Sequence, residues 1–199
     1  LDTQTFKVTD HLTGRLMGVR PDMTPQAARL DAHYLKRSAP TRLCYVGSVL
    51  RTKPDGFGGS REPLQLGAEL FGHAGPEADA EILGLMIEAL RLADIRDAHF
   101  DLGHVGMFRG LAAQAKLDAE QETDLFDALQ RKSRNEVEAV LAKSDAPAAS
   151  KRMLAGLLDL SGEREVLARA RKHWRDAPRP VTRALDELEA VADLVAKRS

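Results

Sequence analysis

Arg61-Glu62-Pro63-Leu64-Gln65-Leu66-Gly67-Ala68-Glu69-Leu70 alternates apolar and polar residues with the period of a β-strand. Successive side chains on a strand point to opposite faces. Leu64, Leu66, Ala68 and Leu70 therefore share one apolar face, and Gln65, Gly67 and Glu69 share the other. Glutamine offers both a donor and an acceptor, whereas ionised glutamate only accepts. Gly67 has no side chain, which leaves the backbone between the two polar groups open to a ligand. Such a face suits a small ligand with an ammonium group, paired with Glu69 and oriented by Gln65. Antiparallel sheets also commonly turn one face to water, and periodicity alone does not separate the two readings.

Upstream, Leu43 to Arg51 is rich in β-forming residues and reads as a largely buried strand, with Cys44 as a small buried hydrophobe. The segment Lys53-Pro54-Asp55-Gly56-Phe57-Gly58-Gly59-Ser60 permits no regular element and reads as a loop. Two strands joined in this way suggest a long antiparallel hairpin. Arg51 stands at the loop edge, where a guanidinium either holds a carboxylate in bidentate fashion or lies on the surface. Further upstream, Arg20-Pro21-Asp22-Met23-Thr24-Pro25-Gln26 reads as a turn leading into a helix over 25–34, with Thr24 as N-cap and Pro25 first in the helix. Its polar groups serve either the backbone or a ligand.

Beyond Pro76 the period becomes helical. Glu77 to Leu92 places Ile82, Leu85, Met86, Ala89 and Leu90 at helix spacing, with Glu77 and Asp79 in the first turn. A short strand is expected over 98–102, and two or three helices over 105–143. A linker is expected over 144–150, then helices over 153–158, 164–174 and 180–197. The last carries Leu185, Leu188, Val191, Ala192 and Val195 on one stripe. An antiparallel hairpin beside long helices argues for an α+β fold.

A net charge of −1 over 199 residues gives no general basic surface, which counts against a nucleic-acid partner. One cysteine excludes a disulfide scaffold and a cysteine-rich metal site. His33, His73, His99 and His104 lack metal-ligand spacing. No apolar run is long enough to span a bilayer and no secretory signal is visible, so cytoplasm is the expected compartment. The chain begins with Leu1, so its true start is expected to be missing.

Taken together, the two polar segments resemble the histidyl-tRNA synthetase family of class II synthetases. Arg20-Pro21-Asp22-Met23-Thr24 is similar to that family's Arg-Pro-Glu-Gly-Thr segment, which contacts substrate histidine. Tyr45-Val46-Gly47-Ser48-Val49-Leu50-Arg51, the loop, and Gln65 to Gly72 are similar to class II motif 2. The helix over 78–92 and Phe100-Asp101-Leu102-Gly103-His104 continue the likeness. The resemblance implies a class II synthetase-like antiparallel sheet with flanking helices. No motif 1 segment, late Tyr-Tyr-Thr-Gly-type signature or motif 3 arginine is present, so that fold is expected to be incomplete at both ends. It further implies a core portion over 1–110 with the motif 2 hairpin, and a helical continuation over 111–199. Asp22, Thr24, Gln65 and Glu69 would line a histidine pocket, and Arg51 would match the motif 2 arginine that contacts the carboxylate.

Two departures bear on activity. Lys53 stands where synthetases carry a glutamate that helps hold ATP, and Pro63 where they carry a phenylalanine that stacks on adenine. In-line attack on ATP depends on such positioning, so adenylation is not expected. Arg20 to Arg29 and Asp101-Leu102-Gly103-His104-Val105-Gly106 are similar to the paralogous regulatory subunits of ATP phosphoribosyltransferase. Members of that family are required by a short catalytic subunit, join it in a hetero-octamer, and confer feedback inhibition by histidine on the first step of histidine biosynthesis. The resemblance implies a regulatory subunit, itself no enzyme, that dimerises and binds L-histidine without cofactor or metal. The alternatives are a histidyl-tRNA synthetase fragment that activates histidine with ATP, and a helical interaction protein whose likeness to motif 2 is accidental.

Overall fold

Hydrophobic alternation does not announce the hairpin that opens the chain. In the computed structural model, which describes residues 2–54, 56 and 58–197, β1 (Lys7–Thr9) and β2 (Leu16–Gly18) pair antiparallel, with Val8 opposite Met17. Strands this short show no period. Their tip is what closes them: Asp10 accepts from Leu12 N at 3.0 Å and from Thr13 Oγ1 at 2.5 Å. Gly14 takes φ +67°, a conformation open to glycine.

α1 (Thr24–Arg29) follows, with Pro25 in its first turn, where a missing N–H is tolerated. Thr24 is not the N-cap. That position belongs to Met23, and Thr24 is the first helical residue. Asp22 supplies the local turn instead, its Oδ1 accepting from Thr24 N at 3.1 Å. The Thr24 hydroxyl is thereby released for a partner outside the helix. The chain continues as a π-helical stretch over Leu30–Leu35 and stops at Lys36, which is left-handed at φ 46°.

β3 (Thr41–Ser48) and β4 (Leu64–Phe71) form the expected long hairpin. Leu43 stands opposite Glu69, Tyr45 opposite Gly67 and Gly47 opposite Gln65. The upstream strand ends before Arg51. Past Ser48 the ladder thins to Val49 N to Pro63 O (3.2 Å) and Arg51 N to Arg61 O (2.8 Å) among the backbone bonds of the described residues; Pro63 has no N–H to return. Asp55 and Phe57 of the connecting loop lie outside the described residues.

The two faces of this hairpin are covered in an order that alternation could not give. Leu64 and Leu66 are 72% and 71% exposed and Val46 is 64% exposed. Cys44 is exposed as well, which corrects both the buried strand and the buried cysteine. The cover lies over the polar face, where the turn before α1 is fastened by Leu50 N to Arg20 O (3.0 Å) and by Arg20 Nε to Ser48 O (3.0 Å).

By compactness the chain divides into Leu1–Ala74 and Gly75–Ser199, upstream of the boundary read from the sequence at 110. The regular elements among the described residues of the second unit are helices: α2 (Pro76–Leu92), α3 (Val105–Ala115), α4 (Ala119–Gln130), α5 (Arg134–Lys143), α6 (Ala148–Ala155), α7 (Glu165–His173) and α8 (Arg179–Ala196). The strand expected over 98–102 is absent. The sheets among the described residues are the two hairpins, so its backbone has no ladder to join. α6 begins inside the segment read as a linker and runs on into a 3-10 turn, Gly156–Asp159.

Leu111, Leu125, Val137, Leu154, Trp174, Val181 and Leu185 are fully buried in one core. Gly110 lets α8 approach α3: a Cβ there would stand 2.8 Å from Val181 Cγ2. The α8 stripe is buried at Leu185 and Val191 and half-buried at Leu188, Ala192 and Val195. On α2, Leu85 and Met86 remain exposed, since α8, its main neighbour in the unit, covers only part of that stripe.

α4 starts with a reciprocal cap. Asp118 Oδ1 accepts from Gln121 N at 2.8 Å, and Gln121 Oε1 accepts from Asp118 N at 3.3 Å. Asp118→Ala is expected to lower stability by about 1 kcal/mol. Urea denaturation should show a lower midpoint at an unchanged slope.

Candidate functional site

Pleating places Gln65 and Glu69 on the same face of β4, as the sequence predicts, and the turn before α1 lies over that face. Gln65 Nε2 donates to Asp22 Oδ1 at 2.7 Å, and Gln65 Oε1 accepts from Met23 N at 2.9 Å. The amide is thus engaged by the protein at both ends and fixes the turn to the strand. The Thr24 hydroxyl and the Tyr45 hydroxyl are 2.9 Å apart, and Tyr45 donates to Glu69 Oε1 at 3.1 Å. Arg51 Nε donates to Pro21 O at 3.3 Å. Asp22, Thr24, Gln65 and Glu69 are therefore gathered with Tyr45 on one half-buried face, and Arg51 reaches the same turn from the end of the hairpin.

Gly67 is not open backbone. A Cβ there would stand 2.3 Å from Tyr45 Cζ, so the phenol ring occupies the space above it. A methyl group would displace the ring and with it the bonds to Thr24 and Glu69. Gly47 plays a similar part beneath the turn, with Arg20 Nη2 at 3.1 Å and Met23 Sδ at 3.4 Å from where a Cβ would be. Sequence reasoning missed Tyr45. Its signal was the pairing itself, since an aromatic ring often covers a glycine on the neighbouring strand, and that pairing requires the register to be known.

This face carries the Asp22 and Glu69 carboxyls, with the Arg20 guanidinium beside Gly47 and Arg51 at the turn. The hydrogen bond from Gln65 holds the Asp22 carboxyl below the usual aspartate value, against the opposing effect of burial, and backbone N–H groups of Thr24 and Met23 assist. Burial pushes the Tyr45 phenol up; the Thr24 hydroxyl opposes this, and the Glu69 carboxylate adds to it. A depressed carboxyl contributes stability that is complete above the unfolded value near 3.8 and is lost as pH falls through the lower folded value. NMR titration of the Asp22 side-chain carboxyl is expected to give a midpoint below 3.8, moving back toward it in Gln65→Leu.

In the second unit, the run 101–106 has a local structural use. His104 caps α3 by accepting from Gly106 N at Nδ1 (3.0 Å), and its Nε2 lies 2.9 Å from Glu187 Oε2. With Nδ1 accepting, the ring proton belongs on Nε2 and is donated to Glu187. Among the described residues no group of three His, Cys, Asp or Glu side chains could hold a metal ion, and no helix is long and apolar enough to cross a membrane.

A hairpin carrying this polar set beneath the turn before α1 fits a class II synthetase-like α+β fold, and the chain belongs to the histidyl-tRNA synthetase family, whose model, described as Histidyl-tRNA synthetase, matches residues 1–199. It is 54% identical over 195 residues to the ATP phosphoribosyltransferase regulatory subunit of Thioalkalivibrio sulfidiphilus, covering 98% of this chain and 49% of that one. It is 55% identical over 198 residues to the protein of the same name from Pseudomonas syringae pv. tomato, covering 100% of this chain and 50% of the relative. A crystal structure from Bacillus halodurans, described as an ATP phosphoribosyltransferase regulatory subunit/histidyl-tRNA synthetase, matches with a TM-score of 0.85 at 31% identity, covering 100% of this chain and 51% of that one. A histidine–tRNA ligase subunit from Alicyclobacillus acidocaldarius shares the fold, with a TM-score of 0.55 at 23% identity over 92% of this chain and 59% of its own. The chain spans about half the length of the curated relatives it matches.

Proposed function

We propose that the full-length protein is a regulatory subunit of ATP phosphoribosyltransferase that binds L-histidine through Asp22, Thr24, Arg51, Gln65 and Glu69 and performs no aminoacylation. The observation that carries this reading is the network joining Asp22, Gln65, Thr24, Tyr45 and Glu69 on the covered face of the hairpin, its two halves linked by Thr24 N to Asp22 Oδ1. It holds a carboxylate at a fixed place and leaves Glu69 Oε2 outside the network, where an ammonium or an imidazole N–H would find an acceptor. Arg51, anchored to Pro21 O, would take the ligand's carboxylate. The relatives at 54–55% identity support the regulatory role by their names. Lys53, exposed and cationic, and Pro63, which offers no aromatic face, speak against a grip on adenine and ATP.

On this reading the protein works in the cytoplasm, dimerises, and joins a short catalytic subunit in a hetero-octamer. Histidine regulates by favouring one arrangement of the assembly, and only to the extent that it binds the two arrangements differently. The test is purification of the full-length protein from its own cells. The expected result is copurification of a short phosphoribosyltransferase, histidine binding by calorimetry, and no histidine-dependent ATP–pyrophosphate exchange. Rapid exchange would instead support the reading as a histidine-activating synthetase, which the double description of the Bacillus halodurans relative keeps in view.

A further inference from the structure

We propose that Tyr45 is a positioning residue of the histidine site, aiming the Glu69 carboxylate at the ligand. This rests on the function proposed above and adds to it a residue outside the set carried over from the family likeness. Tyr45 sits at the centre of the network: its ring lies over Gly67, midway between Gln65 and Glu69 on the same face, and its hydroxyl reaches both sides. Thr24 on α1 and Glu69 on β4 share no hydrogen bond of their own in this arrangement. The phenol oxygen joins them, at 2.9 Å from one and 3.1 Å from the other.

A glutamate side chain has freely rotating bonds, and a ligand must immobilise them unless the protein already has. One donor bound to Oε1 fixes the carboxylate plane and leaves Oε2 in a defined direction. Because the phenol donates its single proton to Glu69, its oxygen is left to accept from the Thr24 hydroxyl. The chain of donors then runs one way, from the helix turn to the carboxylate. The ring has a seat where Gly67 lacks a side chain, between Gln65 and Glu69 along β4.

The test is histidine calorimetry on the full-length protein and three variants: Tyr45→Phe, Glu69→Gln and the double variant. Phenylalanine keeps the ring over Gly67 and removes only the hydroxyl. Tyr45→Phe is expected to weaken histidine binding about tenfold, as for one hydrogen bond to a charged group. In the Glu69→Gln background the same change should cost less than about twofold, because the carboxylate it positions is gone. Histidine should also perturb the near-ultraviolet tyrosine spectrum of the wild type, and that component should vanish in Tyr45→Phe. Additive losses, or unchanged affinity and spectrum in Tyr45→Phe, overturn the positioning role while the histidine site stands. Absence of histidine binding by the wild type overturns the site and this inference together.

Discussion

Glu69→Ala in the full-length protein is expected to raise the dissociation constant for histidine by roughly 30- to 150-fold, from the loss of about 2–3 kcal/mol of charge-assisted hydrogen bonding. The magnitude follows from where the carboxylate stands. It is half-buried on the covered face of the hairpin, already oriented by Tyr45, and the neighbouring Asp22 carboxyl is engaged by Gln65 and Thr24 N. Glu69 is thus the acceptor most available to a cationic ligand. Truncation would also leave the Tyr45 hydroxyl without its acceptor. Glu69→Gln keeps an acceptor for Tyr45 but removes the charge, and about a tenfold loss is expected. Isothermal calorimetry reads both variants, and unchanged affinity in Glu69→Ala would remove the pocket assignment.

Trp174→Ala is expected to destabilise the helical unit by about 3–5 kcal/mol, a large part of the roughly 5–15 kcal/mol that folded domains possess. Trp174 is 1% exposed, in the same cluster as Leu111, Leu154 and Val181. Its Nε1 donates to Met153 O at 3.3 Å, tying the end of α7 to α6. Alanine would leave a cavity lined by several helices and remove the indole donor to that carbonyl. Trp174→Phe, which fills most of the volume and loses only the indole donor, should fall well short of that loss. Denaturant titration followed by far-ultraviolet circular dichroism distinguishes the two, and a loss below 1 kcal/mol in Trp174→Ala would contradict the central place given to this residue.

Much of this architecture was legible before any coordinates. The long hairpin, the helices after Pro76 and the stripe on α8 each rest on a period that a single sequence displays. So did the grouping of Gln65 with Glu69, which follows from pleating alone. What periodicity does not contain is the side that will be covered. Val46, in the strand read as buried, is exposed, and so are Leu64 and Leu66 on the apolar face, because in this unit the turn over 20–24 lies on the polar face. Cys44 was misplaced for the same reason. β1 and β2 escaped notice because three residues do not make a pattern, and the tip at Asp10 that closes them works through side-chain bonds to the backbone. Thr24 was read as a cap because the cap preference of threonine is strong, yet Asp22 performs the turn and frees the hydroxyl for Tyr45. The role of Tyr45 required knowing which residue stands across from it.

That last pairing has a consequence for how the hairpin finds its alignment. A slide by one residue would turn Leu64 and Leu66 toward the turn over 20–24 and carry Gln65 and Glu69 to the back. A slide by two would bring the phenol ring down on Gln65 or Glu69, where a side chain already stands. Only at Gly67 is there a vacant slot, so the ring and the glycine act as key and keyway for the two strands. If that match sets the alignment, residues added or removed between 53 and 60 are expected to leave the spacing of the polar groups unchanged.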